Sequence, residues 1–168
     1  MRKVVAVELV SLDGVMEEAN AAGMAASDAL MMGRVTYEQM VAYWPNQPGG
    51  TPMVDYINSV PKYVASTTLQ EPLEWNNSTL IKENVAGEVI ELTQQPGDDI
   101  TILGSGTLVR SLLRDDLLDE LRLMVHSVVL GSGKRLFEEG SDQKRLELVD
   151  SKTFGTGVLY LAYRPLQS

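Results

Sequence analysis

The chain has 168 residues, one histidine (His126), no cysteine and a formal net charge of −9. These numbers fit one domain over residues 1–168 and exclude a disulfide framework, a thiolate zinc site and a histidine-rich metal site. The acidic balance disfavours nucleic acid as a partner, and no apolar stretch is long enough to predict a membrane span, so we expect a cytoplasmic protein.

The first two thirds of the chain alternate between strand and helix patterns. A β-branched apolar run over 4–10, broken by Glu8, predicts a buried strand. In chain order, the following segments predict a strand at 29–32, a helix at 36–43 capped by Thr36, a helix at 53–58, a strand at 62–66, a weak strand at 80–81, a helix at 85–92, a strand at 100–103 and a helix at 107–114. This alternation predicts parallel strands with crossover helices.

The last third of the chain is dominated by strands. A long strand is predicted over 121–129, and the alternating segments 146–154 and 158–163 predict an antiparallel hairpin joined by Gly155-Thr156-Gly157. The fold class is therefore α/β, with a mixed, mostly parallel central sheet, helices on both faces and a C-terminal antiparallel hairpin.

A glycine-containing turn between a strand and a helix is the strongest local signal for a ligand site. Gly104, Ser105, Gly106 and Thr107 combine close backbone approach, hydroxyl groups and free helix N–H groups, which suit a phosphate. Taken alone, a tight structural turn is the favoured alternative. The fingerprint of the Rossmann fold fits badly, because Val109 stands where a third glycine is needed.

Two further turns after predicted strands are suited to phosphate. In Met32-Gly33-Arg34-Val35-Thr36 an arginine stands beside the free N–H groups of a helix start, and Ser66-Thr67-Thr68 places three hydroxyl groups after a strand. Each has a structural alternative, an exposed arginine in the first case and a capped turn in the second. Because ligands of open α/β sheets bind beyond the carboxyl ends of strands, the three turns together indicate one extended ligand with several phosphates.

Four motifs follow one another along the chain: Ser11-Leu12-Asp13-Gly14, residues 30–38, residues 103–108 and residues 128–137. Their order and spacing, over nearly the whole chain, resemble the dihydrofolate-reductase-like superfamily. The similarity is strongest to the branch formed by the C-terminal domain of the riboflavin-biosynthesis reductase and its stand-alone bacterial relatives.

The resemblance implies a three-layer α-β-α sandwich, a homodimer, and an NADPH-dependent reductase that transfers hydride to a small pteridine- or pyrimidine-like heterocycle. It also implies a set of cofactor-binding residues. These are Gly33, Arg34 and Thr36 in the first turn, with the arginine near the 2′-phosphate, Ser66 and Thr67 in the adenosine-phosphate loop, and Gly104, Ser105, Gly106, Thr107 and Leu108 in the pyrophosphate turn.

The candidates for catalysis are fewer. The segment from Gly14 to Ala29 is short for the family, and its carboxylates, Glu17, Glu18 and Asp28, align with no known acid of the superfamily. Asp13 is the candidate catalytic residue, because it lies in a shared motif at a strand end. It would orient the substrate or assist its protonation. A turn-forming aspartate before Gly14 is the equal alternative.

Other polar residues have simpler interpretations. His126 lies in an apolar run and is expected in the core or an interface, while Lys134 and Arg135 are expected to be solvated turn charges and only secondarily ligands of a substrate phosphate. Two alternative functions stay open: a nucleotide-binding module of the same fold without catalysis, and an interaction protein that keeps only the fold.

Overall fold

The computed structural model, which describes residues 2–16, 27–104, 106–139 and 143–166, contains both strands and helices. The strands are β1 (Val4–Val10), β2 (Ser27–Gly33), β3 (Lys62–Ala65), β4 (Ser78–Ile81), β5 (Asp99–Ile102), β6 (Glu120–Val125), β7 (Leu146–Thr153) and β8 (Leu159–Pro165). The helices are α1 (Arg34–Tyr43), α2 (Pro52–Ser59), α3 (Val85–Gln94) and α4 (Gly106–Arg114).

The eight strands form one sheet in the order β4-β3-β2-β5-β1-β6-β8-β7. Strands β1 to β6 are parallel to one another, whereas β8 is antiparallel to both β6 and β7. The predicted mixed, mostly parallel sheet with a C-terminal hairpin is confirmed. The carboxyl ends of six parallel strands consequently lie along one edge of the sheet, which is where such folds bind ligands.

Two apolar cores lie on opposite faces of the sheet, which confirms the three layers. One joins Val4, Ala6 and Val10 of β1 to the buried faces of α3 and α4. The other joins Leu30 and Met32 of β2 to buried residues of α1 and α2. Successive residues of a strand point to opposite faces, so β2 contributes side chains to both cores.

The largest error in the predicted elements is the end of β6. The strand stops at Val125, not at residue 129. Beyond it the backbone turns, with the Val128 N–H donating to the His126 carbonyl at 2.8 Å. The apolar residues of 128–130 misled the prediction, because they resemble strand sequence but are exposed on a loop.

Candidate functional site

Two glycine turns meet at the carboxyl edge of the sheet. Gly33 ends β2 and Gly104 follows β5, and these strands are neighbours. The Gly33 N–H donates a hydrogen bond of 2.8 Å to the Gly104 carbonyl oxygen. The structure therefore brings together two turns that the sequence placed about seventy residues apart.

The turn around Gly104 is closely packed, and both Gly104 and Gly106 are buried. Gly104 has φ +122°, a conformation that side-chain-bearing residues rarely adopt, and a methyl group there would lie 2.9 Å from Thr36 Oγ1. A methyl group on Gly106, the first residue of α4, would lie 2.8 Å from Met16 Sδ. Gly104 and Gly106 together form what we call the glycine cradle. It fits a ligand that contacts main-chain N–H groups, as the phosphates of a dinucleotide do. Ser105, also predicted to bind cofactor, lies outside the described residues.

The other two residues of this turn contribute unequally. The Thr107 hydroxyl is exposed on the first turn of α4 and accepts a hydrogen bond of 3.1 Å from Arg110 Nη2. The Leu108 side chain is buried in the core against the sheet, so only its main chain faces the turn.

Helix α1 begins earlier than predicted. Gly33 is its N-cap, Arg34 is its first residue, and Thr36 is buried within the first turn and caps nothing. The Thr36 hydroxyl lies beside Gly104 instead. The predicted cap is therefore wrong, because the extended Gly33 already ends the strand and starts the helix.

A second part of the edge is a groove of about 370 Å³ whose lining includes two cationic side chains. It is lined by residues of the α1 start, the β3 and β4 ends and α3: Arg34, Ala65, Ser66, Thr67, Thr68, Ile81, Lys82 and Val85. The Arg34 guanidinium is half exposed and paired with Glu38 at 2.9 Å. The structure thus joins Arg34 to the predicted Ser66 and Thr67. It adds Lys82, which sequence reasoning missed because Lys82 belongs to no recognisable motif.

Ser66 shapes its own loop. Its Oγ accepts hydrogen bonds from the main-chain N–H groups of Thr68 and Leu69, at 3.1 and 3.2 Å. A serine in this role fixes a turn, and the same Oγ lies 3.3 Å from Thr68 Oγ1, where either hydroxyl can donate. The structural alternative and the predicted binding role are therefore compatible at this residue.

Asp13 is held in place by the loop after β6. Its carboxylate accepts hydrogen bonds from the Ser11 hydroxyl and from the main-chain N–H groups of Leu130 and Gly131, the latter two at 3.2 and 2.8 Å. These bonds, led by the one from Ser11, lower the pKa of Asp13 to about 2. Asp13 is therefore ionised at neutral pH and suited to orienting a ligand.

Glu8 is the residue that sequence reasoning missed. It is buried in β1, and burial raises the pKa of its carboxyl group from 4.5 to about 8. Its Oε1 has no hydrogen-bond partner among the residues that the structure describes. A carboxylate inside a run of apolar strand residues was the available signal, since a charge is costly at such a position.

The remaining charged candidates lie elsewhere or have structural partners. Asp28 pairs with Arg2 at the opposite end of the sheet, and Glu17 and Glu18 lie outside the described residues. Arg135 donates to the Asp13 carbonyl oxygen and so holds the two loops together. In the described ranges, no helix is long and apolar enough to cross a membrane.

Comparison with known proteins gives one family and one fold. The sequence profile of the RibD C-terminal domain matches residues 2–160. YyaP of Bacillus subtilis strain 168, an uncharacterized protein, is 34% identical over 139 residues, covering 81% of this chain and 73% of YyaP.

Solved structures share the fold at low sequence identity. A protein of Shewanella sp. PV-4 assigned to riboflavin biosynthesis superposes with a TM-score of 0.77 at 20% identity, covering 98% of this chain and 99% of its own. Dihydrofolate reductase from Enterococcus faecalis, complexed with NADP(H) and RAB-propyl, superposes with a TM-score of 0.67 at 15% identity, covering 98% of this chain and 97% of its own.

Proposed function

Because the chain belongs to the family of RibD C-terminal domains, we propose that it is an NADPH-dependent reductase of a pteridine- or pyrimidine-like heterocycle. The observation that carries the proposal is the hydrogen bond between Gly33 and Gly104, which joins two phosphate-suited turns at one sheet edge. Bound NADPH would supply a hydride at this edge.

The strand order indicates in which direction an extended cofactor would run along the carboxyl edge of the sheet. The groove lined by Arg34, Ser66 and Lys82 lies at the ends of β3 and β4, and the Gly33–Gly104 pair lies at β2 and β5. Adjacent strands are about 4.8 Å apart, so an extended ligand passing from the groove over these turns reaches β1 after about 15 Å. This path supports the adenosine phosphate in the groove, the pyrophosphate at the glycines and the nicotinamide over β1.

The charges of the groove support NADPH over NADH. Arg34 and Lys82 provide two cations where the 2′-phosphate would lie, and a guanidinium binds phosphate with paired hydrogen bonds. Arg34 would exchange its exposed pair with Glu38 for the phosphate at small cost, since exposed ion pairs contribute little. The absence of cysteine is compatible with the cytoplasm, where we place the reaction.

Thermal unfolding with millimolar NADPH, NADH or no ligand tests the proposal. A ligand that binds only the folded protein raises the melting temperature in proportion to the logarithm of its concentration over Kd. We expect NADPH to raise the melting temperature of the protein more than NADH does. We also expect the protein to oxidise NADPH with a member of a panel of dihydropterins and aminouracil phosphates. Failure of both nucleotides to stabilise the protein would refute the proposal, whereas binding without oxidation would favour a non-catalytic nucleotide-binding module.

Arg34→Ala should lose the preference for NADPH. Removing a charge-assisted hydrogen bond costs about 1.5–3 kcal/mol, so NADPH affinity should fall about 10- to 100-fold while NADH affinity changes little. Fluorescence titration of both nucleotides measures this effect. Arg145→Ala, at an exposed arginine far from the groove in sequence, is the matched control. An unchanged preference in Arg34→Ala would remove Arg34 from the 2′-phosphate site.

We also propose that the protein is a homodimer. The edge strand β7, the turn after it and the loop after β6 expose several large apolar side chains, among them Val129, Leu148 and Phe154. A sheet edge with such an apolar surface tends to associate with another chain, and a second copy of the protein would bury it. Light scattering should give a dimer mass for the wild type and for Ile90→Asp on α3, and a monomer mass for Leu148→Asp. A monomeric wild type would contradict the proposal.

A further inference from the structure

The middle of the candidate site contains a carboxyl group whose Oε1 no described residue satisfies. Glu8 is 2% exposed, and its side chain shares a sheet face with Ala6 and Val10, which lie in the core under α4. Its Oε1 lacks a hydrogen-bond partner among the described residues. Buried polar groups nearly always have a partner, so an orphan at a ligand edge calls for one supplied by the ligand.

The Glu8 side chain faces the space above Gly104. A methyl group on Gly104 would lie 3.6 Å from Glu8 Oε1, 2.9 Å from Thr36 Oγ1 and 3.9 Å from Met16 Cε. Met16 is unbranched and flexible, so its thioether can yield this space to a ligand. The carboxyl group of Glu8 therefore lies next to the glycine cradle, close enough to contact a methyl-sized group placed on Gly104.

With the cofactor bound as proposed above, Glu8 would lie under the reacting ring. β1 lies next to β5, on the far side of the cradle from the groove that contains Arg34 and Lys82. An extended cofactor with its adenosine phosphate in the groove therefore has its nicotinamide above β1, on the Glu8 side. This step rests on the proposed function.

We infer that Glu8 is the proton donor of the reduction. Bound NADPH would supply the hydride: its C–H bond would break as a new C–H bond formed at the carbon of the substrate's C=N bond. Glu8 gives its carboxyl proton to the nitrogen, and the resulting carboxylate takes a replacement proton from water. The sum is C=N + NADPH + H⁺ → CH–NH + NADP⁺, and no further reductant is needed.

The surroundings of Glu8 keep it protonated at neutral pH. Burial alone raises its pKa to about 8. Charged or titratable residues of the elements packed around β1 at this edge are Arg34 on α1, Arg110 on α4, Asp13 and Arg135 in the flanking loops, and His126 after β6. None of these is a cause of the shift. Asp13 cannot replace Glu8 as donor, because its own lowered pKa leaves it ionised.

The test compares wild type, Glu8→Gln and the control Glu91→Gln, an exposed glutamate on α3. Two readouts are used: NADPH dissociation constants from pH 6 to 9.5, and turnover of the substrate panel. We expect NADPH to bind the wild type and Glu91→Gln progressively more weakly above about pH 8. An ionised Glu8 repels the phosphates of the ligand and is costly to bury beneath it. Glu8→Gln should bind NADPH without this decline and lose about 10²- to 10⁴-fold in turnover.

Each outcome decides between the two proposals. Superimposable binding profiles of wild type and Glu8→Gln, or undiminished turnover by Glu8→Gln, would overturn the role of Glu8 and leave the NADPH-dependent function intact. Failure of the wild type to bind NADPH would overturn the function and the inference with it. If NADPH binds but no panel member reacts, the pH profile of binding alone decides whether Glu8 meets the ligand.

Discussion

Glu8→Gln should be more stable than the wild type at alkaline pH, by up to about 5 kcal/mol, and this advantage should shrink as the pH falls. The estimate follows from the pKa of Glu8, which rises from 4.5 in the unfolded chain to about 8 in the fold, at 1.36 kcal/mol per pKa unit. Between these values the folded protein holds a proton that the unfolded chain has released. The stability of the wild type therefore falls as the pH rises from 4.5 to 8, and the full cost is present above pH 8.

Urea unfolding at fixed pH from 5 to 9 measures this effect without any ligand. Lys62, whose pKa burial lowers to about 8, also changes charge near the upper end of this range. Because every variant retains Lys62, its contribution cancels in the difference between Glu8→Gln and wild type. Glu91→Gln should follow the wild-type curve. A difference that stays constant across the pH range would show that Glu8 is not held protonated.

Gly104→Ala should strongly lower the affinity for NADPH. At φ +122° an added side chain strains the backbone by about 1–3 kcal/mol. The new methyl group would lie 2.9 Å from Thr36 Oγ1, which forces apart the hydrogen-bonded pair of turns. Since every 1.4 kcal/mol is tenfold in affinity, a combined loss of about 10- to 100-fold or more is expected.

Gly155→Ala is the matched control for this substitution. Gly155 lies in the turn between β7 and β8, has no positive φ, and an added methyl group there meets nothing within 4 Å. Calorimetric titration with NADPH should therefore give wild-type affinity for Gly155→Ala and a large loss for Gly104→Ala. Wild-type affinity in Gly104→Ala would show that the cofactor does not approach this turn.

The element order was predictable because apolar periodicity reports local burial. The runs at β1 and β5 and the stripes of α3 and α4 each pack against a core as their spacing predicts. The exposed apolar residues after Val125 were not predictable in this way. Their sequence fits a strand, but Asp13, more than one hundred residues away, takes the main-chain N–H groups of Leu130 and Gly131.

The glycines, hydroxyls and Arg34 of the candidate site were visible in the sequence, because a turn and its neighbouring residues form a local pattern. Their motifs, in order, also gave the family. Lys82 belongs to no local pattern, and the apolar run around Glu8 shows only that a carboxyl group interrupts a strand. Their importance arises from parallel strand pairing, which sets β1 beside β5 and places Lys82 across a groove from Arg34.

Residues close together in the chain thus predict the layers of this protein, its mostly parallel sheet and the turns suited to phosphate. Contacts between distant segments make Gly33 donate to Gly104, fix Asp13 as a carboxylate and bury Glu8 beside the glycine cradle, and these contacts are visible only in the fold. The physical reason is that burial and hydrogen bonding between distant segments set the charge of a carboxyl group, and a local pattern carries no record of either.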